Sequence, residues 1–233
     1  MFLFFIQHYP FILAFLLGLI PALIWLWFWL KEDIHHEPSR MITLSFLGGM
    51  LSVLLVLPLQ KAVYAYVIDN HNLAFIVWAT IEELFKFGVV YFIALKRKVT
   101  DEPVDDIIYL IISALGFVTL ENTLFLVDPI RNGNFISTII QGNLRFIGAS
   151  LLHIISSATI GIFLAISFYK TKKQKRLYLL VGIILSVALH TTFNLFIISQ
   201  IQQNVFFIFG VVWVAIIALL LIFEKVKYII PQK

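Results

Sequence analysis

The chain has 233 residues, of which 61% are hydrophobic and only 13% charged, and its mean hydropathy is +0.98. A water-soluble domain of this length could not cover so much apolar surface, and the charged share is about half that of soluble domains, so lipid is the expected solvent for most of the chain. No cysteine is present, which excludes disulfides, thiolate nucleophiles and Cys-ligated zinc, and the net charge of +4 has meaning only through where the positives sit.

A spanning helix needs about 20 mostly apolar residues. The first expected span is 11–30. It has no basic region before its apolar run and no small-residue cleavage site, so Leu13 to Leu30 reads as a retained span rather than a removed leader. The following spans are expected at 41–66, long enough to tilt or to emerge from the core, then at 73–95, 107–127, 146–169, 177–199 and 205–223. The stretch ISTIIQGNLR (136–145) is amphipathic and reads as an interfacial lead-in to the fifth span. Connections are short and polar, and none can hold a soluble domain. The expected fold is an all-α, polytopic membrane helical bundle with about seven transmembrane helices. Residues 1–233 are expected to form a single membrane domain, with its chemistry in about 73–199.

Charge placement sets the expected orientation. Alternate connections and the tail hold thirteen positives, from Lys31 and Arg40 through Lys96–Lys98 and Lys170–Arg176 to Lys233. The other side holds only Arg131, while Lys61, Lys86 and Arg145 lie in or near spans. This asymmetry places the N-terminus outside and the C-terminus in the cytoplasm, and it requires an odd number of spans.

An ionisable group inside a bilayer costs several kcal/mol and marks function by default. The spans carry Glu82, Glu83 and Lys86 (IEELFKF), Glu121 and Asn122 (TLENTLF), His153 (LLHIISS), and His190 and Asn194 (LHTTFNLF). At 1.5 Å rise per residue, Glu82, Glu121, His153 and His190 fall about 14, 9, 10 and 14 Å below the external ends of their spans, so they can share one pocket. Lys86 is one turn from both Glu82 and Glu83 and can neutralise one of them. Adjacent residues point about 100° apart, so one glutamate faces a site while the other pairs behind it. His190 and Asn194, at i,i+4, share a face. Each group also has a structural explanation. Glu82, Glu83 and Lys86 can form an ion-pair knot between helices, His153 and Asn194 can be interhelical hydrogen bonds, and Arg145 can be a snorkelling anchor. No cation lies within a turn of Glu121.

At these residues the sequence resembles the PrsW family of bacterial intramembrane proteases, and the wider superfamily of CAAX prenyl endopeptidases and Abi proteins. The matching pieces are EELFK (82–86), the run from DDIIY to GFVTLEN (105–122), Arg145 with His153, Ser156, Ser157 and Gly161, and HTTFN (190–194). KEDIHHEP (31–38) followed by FLGG (46–49) is similar to the family's first loop. Glu121 stands where prenyl endopeptidases carry a histidine, as in PrsW-like sequences. The resemblance implies a bacterial cell-membrane protease of glutamic type that cuts single-span membrane proteins, such as anti-sigma factors, near the external face.

Peptide hydrolysis needs a base for water, donors for the oxyanion and an acid for the leaving amine. The expected base is Glu82 or Glu83, with Glu82 favoured. Glu121 would hold the water or share its proton, His190 and Asn194 would donate to the oxyanion, and His153 would orient a carboxylate or protonate the amine. Lys86, Asn122 and Arg145 would support them. No cofactor, metal or nucleic-acid partner is expected; the partners are a membrane-protein substrate and the bilayer. There is no HExxH motif and no Gly-x-Ser-x-Gly elbow, and the aspartates read as lying in connections. Zinc on His153, His190 and a glutamate stays chemically possible. The competing readings are a proton-coupled transporter, against which no internal repeat is visible, and a non-catalytic scaffold, against which every motif residue is present.

Overall fold

The computed structural model describes residues 9–66, 71–134, 138–139, 145–200 and 205–230. Within them the chain is helical throughout: α1 (Pro10–Glu32), α2 (Ser39–Tyr66), α3 (His71–Val90), α4 (Pro103–Arg131), α5 (Ser150–Ile166), α6 (Lys172–Gln200) and α7 (Val205–Val226). Each corresponds to one expected span. Four are long and apolar enough to cross a membrane: Pro10–Glu32, Ser39–Tyr66, Pro103–Arg131 and Lys172–Leu195. Of the others, α3 carries three charges at its centre and α5 has 17 residues. The expected interfacial segment 136–145 lies largely outside the described residues.

The centre of the bundle is α4. Every residue from Pro103 to Thr119 is buried, as its all-round apolar sequence requires, and the helix lies against α1, α2 and α5. Two glycines set the closest crossing. A Cβ on Gly116 would fall 1.9 Å from the Phe46 carbonyl oxygen, and one on Gly49 would fall 2.1 Å from that of Ser113. Small residues let helix backbones touch in lipid, where no hydrophobic force drives helices together. Outward faces are apolar, as with Leu51, Leu54 and Leu55 of α2, which are more than half exposed and suited to lipid.

Two local features depart from the expectation. Helix α4 begins at Pro103, before its apolar stretch, because Pro occupies its first turn and Asp105 accepts the backbone N–H groups of Asp101 (2.9 Å) and Glu102 (2.8 Å). Asp105, Asp106 and Asp128 therefore lie in a helix, not in connections. The third and fifth helical stretches also contain π-helical turns, Tyr91–Leu95 after α3 and Arg145–Ala149 before α5. Such turns reposition side chains and frequently occur at functional sites.

Candidate active site

Helices α3, α4, α5 and α6 bring the ionisable residues of the spans together. Glu82, Glu121, Arg145, His153, His190 and Asn194 line one cavity of about 370 Å³, together with Gln60 and a wall of apolar and aromatic side chains. Glu83, Lys86 and Asn122 stand behind this surface.

The two adjacent glutamates of α3 have divided roles, as their 100° separation requires. Glu83 is fully buried and faces away from the cavity. Its Oε1 accepts from Lys86 Nζ (2.5 Å) and lies 2.7 Å from His190 Nδ1, while its Oε2 accepts from Ser157 Oγ (2.9 Å). Glu82 lines the cavity. Its Oε1 accepts from Gln60 Nε2 (2.7 Å), and Gln60 is held in turn by Trp78 Nε1 on its carbonyl oxygen (3.1 Å). Glu82 Oε2 is buried, has no hydrogen-bond partner among the described residues, and lies 3.6 Å from His190 Nε2.

Glu121 is not the isolated carboxylate of the sequence reading. Arg145 reaches it from the π-turn before α5, donating through Nη2 to Glu121 Oε2 and through Nε to Asn122 Oδ1, both at 2.6 Å. Arg145 is therefore no snorkelling anchor: its fork clamps two consecutive residues of α4, and its guanidinium lies 3.8 Å from the Phe125 ring centre. His153 completes the link, with Nε2 at 3.2 Å from Glu121 Oε2 and Nδ1 at 3.0 Å from Lys86 Nζ.

These contacts set the histidine tautomers. Lys86 Nζ has donors only, so His153 Nδ1 accepts, and Nε2–H of the neutral ring donates to Glu121. Next to His190 Nδ1 stands a carboxylate, so Nδ1–H donates to Glu83, and Nε2 is turned toward Glu82 Oε2. The two rings meet edge to face with centroids 4.9 Å apart.

Gln60 and Trp78 are not among the residues that the sequence singles out, and Ser157 stands out there only within a motif. Gln60 is uncharged and sits two residues after Pro58 in the second span, so a search for ionisable groups passes over it. A polar amide inside an apolar helix was the available signal.

Residues 37–221 match the model of a family described as PrsW family intramembrane metalloprotease. This chain belongs to the PrsW family of intramembrane proteases. It is similar to the Protease PrsW of Geobacillus kaustophilus, 31% identical over 78% of this chain and 79% of that one. It is also similar to those of Clostridioides difficile, 28% identical over 77% of each, and Bacillus subtilis, 24% identical over 82% and 84%. No solved structure matches. The family is the one that EELFK, TLEN and HTTFN implied.

The description of the PrsW family names a metal, and three residues of the cavity could in principle offer ligands to one. Donor atoms of Glu82, His153 and His190 lie within 4.8 Å of one another, and two imidazoles with a carboxylate suit catalytic zinc. A metal-bound histidine gives its other N–H to an acceptor. His190 meets this condition through Glu83. His153 does not, because its Nδ1 faces the Lys86 ammonium, which is itself bonded to Glu83, and its Nε2–H is directed at Glu121 rather than free to coordinate. The three residues converge, but in this arrangement His153 lacks the acceptor that a metal-bound histidine uses.

Proposed function

We propose that this chain is a glutamic-type, metal-independent intramembrane endopeptidase that hydrolyses a peptide bond of a single-span membrane protein. The observation that carries the reading is Glu82 Oε2, a buried and unpartnered carboxylate oxygen on a polar cavity within a helical membrane bundle. A water held between Glu82 Oε2 and the Nε2 lone pair of His190, 3.6 Å apart, is within hydrogen-bond reach of both. Glu82 takes one of its protons as the water oxygen attacks the carbonyl carbon. Asn194, half-buried in the same wall, donates its amide N–H to the oxyanion. As the C–N bond breaks, Glu82 returns the proton to the leaving amine. His190 thus moves from oxyanion donor to water holder. Glu83, itself held by Lys86 and Ser157, fixes its tautomer from behind, and Lys86 and the Arg145-bound Glu121 do the same for His153.

The cavity's place among spans supports a single-span membrane protein as substrate, and we propose one of anti-sigma-factor type. The thirteen-to-one distribution of positives supports a bacterial cell-membrane location with the N-terminus outside and cleavage near the external face. A second reading, zinc held by Glu82, His153 and His190, is favoured by the convergence of their donor atoms and by the family's description.

Reconstitution of the purified chain with a panel of single-span substrates tests the first reading. Wild type should cleave at least one and Glu82→Gln none, with far less than one zinc per chain by elemental analysis and full activity after prolonged 1,10-phenanthroline. Stoichiometric zinc, with activity lost on chelation and restored by metal, decides for the second.

A further inference from the structure

A second cavity, of about 490 Å³, opens at the other end of the bundle among α3, α4, α5 and α6. Asp106 lines it, fifteen residues before Glu121 and so roughly 22 Å away along α4. Phe87, Tyr91, Leu164 and Leu179 give it apolar walls, and Lys175 and Arg176 stand at it from the first turns of α6. Lys175 is half-buried, Arg176 is exposed, and neither forms an ion pair among the described residues.

The unusual group is Asp106. It is only 6% exposed, yet it has no hydrogen bond or ion pair among the described residues, and Lys175 acts on it only across space. Thr100 Oγ1, on the same wall, is also buried without a partner. Buried polar groups are normally paired. A carboxylate and a hydroxyl left open in one cavity, with two unpaired cations beside them, describe a ligand with both an anionic group and an N–H donor. The apolar walls require that ligand to carry hydrocarbon. Basic pockets between spanning helices are a known setting for phospholipid head groups.

We infer that this cavity binds the head group of an aminophospholipid. Its phosphate lies on Lys175 and Arg176, its primary ammonium on Asp106, and its acyl chains leave past Tyr91 and Leu179 into the bilayer. A purely anionic head group would leave Asp106 facing like charge. A choline head group has no N–H to give it. The site is independent of the hydrolytic reading, since it shares no residue with the first cavity.

Native mass spectrometry of the purified full chain in detergent, titrated with phosphatidylethanolamine, phosphatidylcholine or phosphatidylglycerol of identical acyl chains, tests it. Phosphatidylethanolamine should be retained about tenfold better than the other two, the scale of one charge-assisted hydrogen bond. Asp106→Asn should remove that preference and leave phosphatidylcholine retention unchanged. The Lys175→Gln/Arg176→Gln double variant should weaken retention of all three. Free O-phosphoethanolamine should compete only weakly. Equal retention of phosphatidylethanolamine and phosphatidylcholine by wild type, which needs no variant to fold, overturns the inference. So does an ethanolamine preference that survives Asp106→Asn, or displacement by O-phosphoethanolamine as effective as by the lipid.

Discussion

Glu82 and Glu83 are neighbours in sequence, yet the same change to glutamine should act on them in different ways. In Glu82→Gln the amide oxygen still accepts from Gln60, which is 2.7 Å away in wild type, and the new NH₂ replaces an oxygen that had no partner. The expected stability change is under about 1 kcal/mol, while loss of the proposed base should lower cleavage at least about 100-fold. Glu83→Gln removes the carboxylate from a fully buried ion pair and leaves Lys86 uncompensated. Breaking such a pair from one side costs about 3–5 kcal/mol, and the bonds from His190 and Ser157 weaken with it. Adding Lys86→Met to Glu83→Gln should recover part of that loss, because no orphan ammonium remains. The assays are thermal unfolding in detergent and cleavage of a single-span substrate in proteoliposomes. The reasoning is refuted if Glu83→Gln is as stable as wild type, or if Glu82→Gln cleaves at a near-normal rate.

Three further outcomes are expected. Gly116→Ala should destabilise the bundle by about 1–3 kcal/mol or more, because its Cβ would fall 1.9 Å from the Phe46 carbonyl oxygen; an unchanged unfolding midpoint would count against the close α2–α4 crossing. In the α1–α2 connection, burial pushes Glu37 up to about 8 from 4.5, and Tyr109 donates to its Oε2. The folded state therefore holds a proton that the unfolded state releases. The stability this gives is fully present below about pH 4.5 and is lost as pH rises through about 8, so the unfolding midpoint should fall from pH 5 to 9 and Glu37→Gln should flatten that fall. A single cysteine at Asn132 should react with an impermeant maleimide on intact cells, and one at Gln174 only after permeabilisation; the reverse pattern inverts the proposed orientation.

The helices were legible because lipid makes apolar length itself the signal. All seven expected spans correspond to helices whose ends differ from expectation by only a few residues. Two helices run beyond their apolar stretches: α4, carried by proline and a capping carboxylate, and α6, which begins at Lys172 within the basic segment read as a connection. Convergence of Glu82, Glu121, His153 and His190 was legible from depth, and the division between Glu82 and Glu83 from helix geometry. Which glutamate faces the cavity was not, because it depends on Gln60 from α2 and Ser157 from α5, far apart in sequence. Nor was the partner of Glu121: Arg145 reaches it from a π-turn, and no sequence period marks such a turn. The lysine on His153 Nδ1, standing where a metal-bound histidine would need an acceptor, is likewise a contact between residues 67 positions apart.

The buried knot at Glu83 also bears on how the protein is made. Lys86 and Glu83 sit on α3, but their partners His153 and Ser157 are on α5, and His190 is on α6. A nascent chain delivers α3 to the membrane well before those helices exist, with two carboxylates and one ammonium in a segment that lipid solvates poorly. Until α5 and α6 arrive, that helix is a poor lodger in the hydrocarbon and stays near the translocation machinery or water. The proposed site is then incomplete until synthesis has passed His190, and a polypeptide interrupted earlier carries buried-type charges without their partners.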